Sequence, residues 1–469
     1  MPGSDPSYTA SNPIMLLSAR LSRWSMAYFA CAITNFILAT LMMASGCTYP
    51  AIPVGSPLNL IAVHLITVGW LTLLMLGALS QFVPVITNKP LPSQSLMLAG
   101  LCLLETGLLG MIAGFLALNG TLPLSLRILL PCGGALVVLG VLADIAVISI
   151  PLLRTRPFSL PGKMVITALG YLIVTVSLGL CFALGLGVNH VASPLMVLLG
   201  AGLSLHIVAG LGGWLLLTAI GVGYKLLPMF MLAPEERGHL GENLFMLIAG
   251  GIFLYWIAHF ISLWYPEHSL KIAWVTGMGM GMGMAVFGTV FYFMDILKLY
   301  RTRQRKSLEL NSRAAAGALF MMALAIVTTV TALMFSKKAL PAGLFLLLIG
   351  YLSGLGLSQL YKIVPFLTWL ELFGSKLGQG PVPRVQDLVL ETRATPWFIF
   401  YFIAVTGSAV AMLLNLSFIF QLTASAQLVA LLAITLELWR SRHPGNSSPE
   451  RVSATPFILH KEETKHGSR

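Results

Sequence analysis

The chain has 469 residues, 57% of them hydrophobic and 9% charged, with a mean hydropathy of +0.87 and a formal net charge of +12. A soluble globular chain carries about 25% charged residues, so a water-soluble domain and a disordered chain are both excluded. Nucleic acid is excluded as a partner as well, because the basic residues sit between apolar runs rather than on one polar face.

Residues 1–24 read as a polar N-terminal segment. The apolar run that follows is too long for a signal-peptide core, so it reads as an uncleaved first span. Spans of about 20 residues or more are expected at 25–46, 57–86, 94–118, 127–152, 163–188, 195–228, 241–264, 271–298, 313–335, 340–366, 396–415 and 418–439. The expected fold is therefore all-α, a polytopic membrane protein whose partner is the lipid bilayer. The longest connection is 367–395, and 441–469 reads as a polar tail. Of the 28 Lys and Arg, only Arg127, Lys271, Lys337 and Lys338 fall on the side opposite the termini. The positive-inside rule then puts both ends in the cytoplasm. Cys31, Cys47, Cys102, Cys132 and Cys181 are scattered and form no CxxC, so neither a disulfide framework nor a structural zinc site is expected.

An internal repeat organises the spans. Span 2 carries Gly69-Trp70, Gly77 and Pro84; span 6 carries Gly213-Trp214, Gly221 and Pro228, at the same offsets. Span 10 repeats the series as Gly350-Tyr351, Ser358 and Pro365, and Tyr361-Lys362-Ile363-Val364-Pro365 nearly copies Tyr224-Lys225-Leu226-Leu227-Pro228. The motif falls on the second span of each quartet, so three four-helix arcs around a pseudo-threefold axis are expected, over about 25–152, 163–298 and 313–439. Seven residues make about two helical turns, which puts aromatic, small residue and proline on one face. That stripe reads as helix packing, with the proline ending each helix at the cytoplasmic surface.

Twelve spans with both ends inside, three quartets, and the run His64-Leu-Ile-Thr-Val-Gly-Trp70 in span 2 resemble the catalytic subunit I of heme-copper oxidases and nitric oxide reductases, over nearly the whole chain. The resemblance implies a bacterial inner-membrane location. It also implies a low-spin heme between histidines of the second and tenth helices, and a high-spin heme facing copper held by histidines of the sixth and seventh. Here His64 stands on span 2, His206 on span 6 and His259 on span 7, while span 10 has no histidine. What the resemblance implies is a divergent member that binds heme through His64 and His206, without the usual complete oxidase centre. Copper is not expected, and His259 is the remaining candidate metal ligand. Such a protein would serve a respiratory or NO-related accessory role beside a membrane partner of that kind. His64 would face span 10 and His206 span 7. Two other classes stay open, a permease for a small solute or ion and a ligand-free assembly partner.

All three histidines fall in the outer half of their spans, where an imidazole is either a metal ligand or a hydrogen-bonded core residue. His190, His239 and His268 in loops, and His443, His460 and His466 in the tail, read as solvated. Glu105 in span 3 and Asp144 in span 4 are the deepest acids. Each is a candidate for a proton or ion path, against the alternative of a polar bond to a neighbouring helix. Lys225 and Lys362 near the cytoplasmic ends are expected to snorkel. The run Gly277-Met-Gly-Met-Gly-Met-Gly-Met284 in span 8 turns about 200° between successive methionines. Its methionines thus form no single copper-binding face, and packing through Gly277/Gly281 and Gly279/Gly283 is expected instead.

Overall fold

The structure is a computed structural model that describes residues 13–189, 192–234, 238–265, 270–335, 337–377 and 381–443, with side chains from Arg23 onward. Among these residues there is no strand. Twelve helices are long and apolar enough to cross a membrane: α1 Arg23–Ala44, α2 Pro57–Thr87, α3 Gln94–Leu118, α4 Leu124–Leu153, α5 Leu160–Gly187, α6 Leu203–Met231, α7 Gly238–Trp264, α8 Lys271–Thr302, α9 Leu310–Met334, α10 Lys337–Lys376, α11 Glu391–Leu413 and α12 Ser417–Arg442. The protein is a multi-pass, all-α membrane protein. Helix starts follow local chemistry. Ser56, Ser93 and Ser159 each accept the backbone N–H three residues on, at the heads of α2, α3 and α5, and Pro57 and Pro161 occupy the first turn where no N–H is needed.

Nine helices form a closed outer ring. α1 packs on α3, then α3 on α4, α4 on α5, α5 on α7, α7 on α8, α8 on α9, α9 on α11, α11 on α12, and α12 returns to α1. The three repeat-bearing helices lie inside. In their most apolar windows α2, α6 and α10 are 67%, 61% and 67% buried, against 28–44% in the other nine. Exposed apolar residues such as Leu109, Phe253, Val327 and Ile403 lie on the outer nine, which is the arrangement a lipid solvent selects.

The repeat is physical. A Cβ on Gly69 would fall 2.8 Å from Asn35 of α1, one on Gly350 would fall 2.8 Å from Met321 of α9, and one on Gly213 would fall 2.3 Å from Tyr171 Cγ of α5. Each arc thus seats the first helix against the same glycine of its inner helix. The third and fourth helices also meet through glycines, Gly107 on Gly133 in the first arc and Gly251 on Gly281 in the second. Lipid tails are as apolar as side chains, so close backbone approach rather than hydrophobic burial holds such pairs.

Three features depart from expectation. Pro84, Pro228 and Pro365 do not end their helices. α2 continues to Thr87 and α6 to Met231, both closing on a left-handed residue, Asn88 (φ 51°) and Leu232 (φ 52°), while α10 runs on through Phe373. The inner helices are also not uniformly α-helical. Each contains a π-helical stretch, Leu65–Thr72, Val208–Leu216 and Leu346–Ser353, that ends two residues past its aromatic residue. Finally, the methionine run packs on one side only: Gly281 meets the α7 backbone and Gly277 meets Ala258, but Gly279 and Gly283 face open space. Half of the packing read from the run is therefore a lipid-facing surface, as its 200° step dictates.

The basic residues gather at one end of the bundle. There Lys89 donates to the Arg154 carbonyl at 2.5 Å, Lys163 pairs with Glu242 at 2.8 Å, Arg313 with Glu391 at 2.8 Å and Arg442 with Glu371 at 2.5 Å. Lys362 does not snorkel freely; it is bound to Glu309 at 2.5 Å.

Candidate functional site

At the middle of the bundle the three inner helices are joined by their aromatic residues. Trp70 of α2 donates its indole N–H to Ser353 of α10 at 2.9 Å, and Trp214 of α6 donates to Thr72 of α2 at 2.9 Å. Both acceptors stand two residues after the aromatic residue of their own helix. Their hydroxyls in turn donate five residues back, Thr72 to Thr67 O at 2.8 Å and Ser353 to Leu348 O at 2.7 Å, across the π turns. For Tyr351 of the third arc the matching acceptor position is Leu216 of α6, which has no hydroxyl, and the Tyr351 hydroxyl instead lies beside that of Tyr292 from α8. Trp70, Trp214, Tyr351 and Tyr292 are 0–1% exposed, so this aromatic layer closes the pseudo-threefold axis.

Beyond that layer, away from the basic end, lie the histidines. His64 immediately precedes the π turn of α2. Its Nδ1 donates to Leu60 O at 2.8 Å, and its ring lies 5.5 Å from Phe115 of α3. His206 precedes the π turn of α6. Its Nδ1 donates to Thr175 O of α5 at 3.0 Å, and the ring meets Phe182 edge-on at 5.8 Å. The two imidazoles are near enough for a charge on one to be felt by the other. With Nδ1–H committed to a carbonyl, each ring is held in the tautomer whose Nε2 lone pair is available. No described residue hydrogen-bonds either Nε2. An imidazole tied in this way through Nδ1–H presents its Nε2 to a metal.

The neighbours differ from expectation: His64 faces α3 rather than α10, and His206 faces α5 rather than α7. A π turn inserts one residue, which rotates the helix ahead of it by about 100° relative to a straight α-helix.

His259 is placed differently. Its Nε2 lies 3.0 Å from Ala201 O and 3.3 Å from Ser204 Oγ, and its Nδ1 lies 3.0 Å from the Met278 sulfur, so both ring nitrogens are engaged. Among the described residues, no three His, Cys, Asp or Glu side chains form a metal-binding group. His239 is exposed and His443 is half-buried against Trp439; His190, His268, His460 and His466 lie outside the described residues.

Both deep acids sit in the first arc. The Tyr28 hydroxyl of α1 lies 2.7 Å from Asp144 Oδ2 and 2.9 Å from Met97 O. Asn35 of α1 donates to Glu105 Oε1 at 2.9 Å and to Gly69 O at 3.2 Å. Sequence reasoning missed Thr72, Ser353, Tyr28 and Asn35. Thr72 and Ser353 left a signal, since both lie two residues past the repeat aromatic; Tyr28 and Asn35 are ordinary span residues until α1 is packed on its neighbours.

No protein-family profile matches the chain, and no curated protein matches it.

Proposed function

We propose that the protein is a divergent member of the heme-copper oxidase subunit I type that binds heme in its outer half, between the first and second arcs. The observation that carries this reading is the pair His64 and His206, each with Nδ1 tied to a backbone carbonyl and Nε2 left free. Phe115 and Phe182 beside the rings supply the flat apolar walls that a porphyrin requires. An iron porphyrin there would supply one-electron redox chemistry or binding of a diatomic gas such as NO. The residues of this chain orient the imidazoles through Leu60 and Thr175 and keep the site apolar.

The role that follows is a respiratory or NO-related accessory one in a bacterial inner membrane, with the basic end in the cytoplasm. The chain's own groups do not make the full oxidase ligand set, because α10 carries no histidine and His259 is engaged at both nitrogens. A permease using the pseudo-threefold axis would have to open the Trp70–Trp214–Tyr351 layer, which is bonded across helices.

A reduced-minus-oxidised absorption spectrum of the purified protein tests the reading. A Soret band that shifts on reduction is expected. A protein that stays colourless after expression with heme supplied contradicts it.

A further inference from the structure

Trp214 and Thr72, joined by their hydrogen bond at 2.9 Å, stand 142 residues apart, and so do His206 and His64. The repeat itself steps by 144, from Trp70 to Trp214, so symmetry alone leaves the two histidines two residues out of register. The bond makes up that difference, because it runs from the aromatic residue of α6 to the residue two beyond the aromatic residue of α2. Both helices cross the bundle in the same direction, and in each the eight residues from imidazole to bond run through a π turn. The bond therefore brings His64 and His206 to one level.

The Thr72 hydroxyl serves both partners at once. It accepts from Trp214 and donates to Thr67 O at 2.8 Å, five residues back, whereas a threonine in an α-helix reaches the carbonyl three or four back. The Thr67 hydroxyl in turn donates at 2.8 Å to the carbonyl of Val63, the residue before His64. A chain of bonds thus runs from the Trp214 indole up through the π turn of α2 to the neighbour of His64. Trp70 makes the same kind of bond to Ser353, 283 residues on, which puts Leu347 of α10 at the level of His64. That edge of the bundle sets an imidazole against an apolar side chain. Between α10 and α6 the acceptor position is Leu216, and no such bond is made among the described residues. The edge between α2 and α6 is thus the one where two imidazoles meet.

We propose that Thr72 is a positioning residue of the heme site: by holding Trp214 it sets the register at which His64 and His206 take one iron from its two sides. This rests on the heme-binding reading and adds to it how the iron is held. A valine at position 72 would keep the shape of the side chain but leave the Trp214 N–H, on a residue 1% exposed, without its acceptor. An unpaired buried donor is costly, so α6 shifts to find another partner and the imidazoles lose their common level. A serine keeps both bonds and the register.

The test is the absorption and electron paramagnetic resonance spectrum of the purified full chain, expressed with heme supplied. The wild type is expected to hold six-coordinate, low-spin iron. T72V and W214F are each expected to convert most of it to a five-coordinate, high-spin form and to raise carbon monoxide binding severalfold, while T72S keeps the wild-type spectrum. S353A removes the sister bond from Trp70 and controls for lost packing alone; its spectrum is expected to match the wild type. Six-coordinate iron retained in T72V or W214F, high-spin iron in the wild type, or an equal shift in S353A overturns the proposal and leaves heme binding standing. Wild-type protein that takes up no heme overturns the heme-binding reading, and this proposal with it.

Discussion

The indole of Trp214 donates to the hydroxyl of Thr72 at 2.9 Å, and so fastens the second arc to the first at the pseudo-threefold axis. Trp70 repeats the contact to Ser353, fastening the first arc to the third. Interhelical side-chain bonds in membranes average about 0.6 kcal/mol. T72V and W214F are each expected to lower unfolding stability by about 0.5–2 kcal/mol, and the double variant by less than their sum. Strict additivity in a double-mutant cycle would show that the bond is not made.

The methionine–glycine run offers a comparison within one helix. G281A pushes a methyl into the α7 backbone at Gly251 and Tyr255 and is expected to cost about 1–3 kcal/mol. G283A enters open space and should change stability by no more than about 0.5 kcal/mol. Equal effects of the two substitutions on detergent-resistant folding would refute the seating of α8 on α7.

Orientation follows from charge. The connection between α8 and α9 carries Arg303, Arg305 and Lys306 at the basic end. A reporter fused at Arg305 should be active only in its cytoplasmic form. Activity of a periplasmic reporter at that position would invert the protein in the membrane.

Much of the frame is legible in the sequence because lipid imposes it. Span length, the charge bias and the Gly–aromatic repeat all answer to the bilayer or to helix crossing, and Gly69, Gly213 and Gly350 occupy matching crossings as their spacing suggests. The site is less legible. His64 and His206 are visible as imidazoles within apolar spans, but the direction each faces depends on a π turn that leaves no hydropathy signature. Asp144 and Glu105 stand out as acids in apolar spans; that one face of α1 serves both emerges only when Tyr28 and Asn35 are brought against them.

Heme content per polypeptide, compared among the wild type, H64A, H206A and H259A, tests the central claim most directly. The wild type should carry heme. H64A and H206A should each lose most of it while remaining folded in the membrane, and H259A, whose ring is engaged at both nitrogens, should keep it. Unchanged heme content in H64A and H206A, or its loss in H259A alone, would contradict the account.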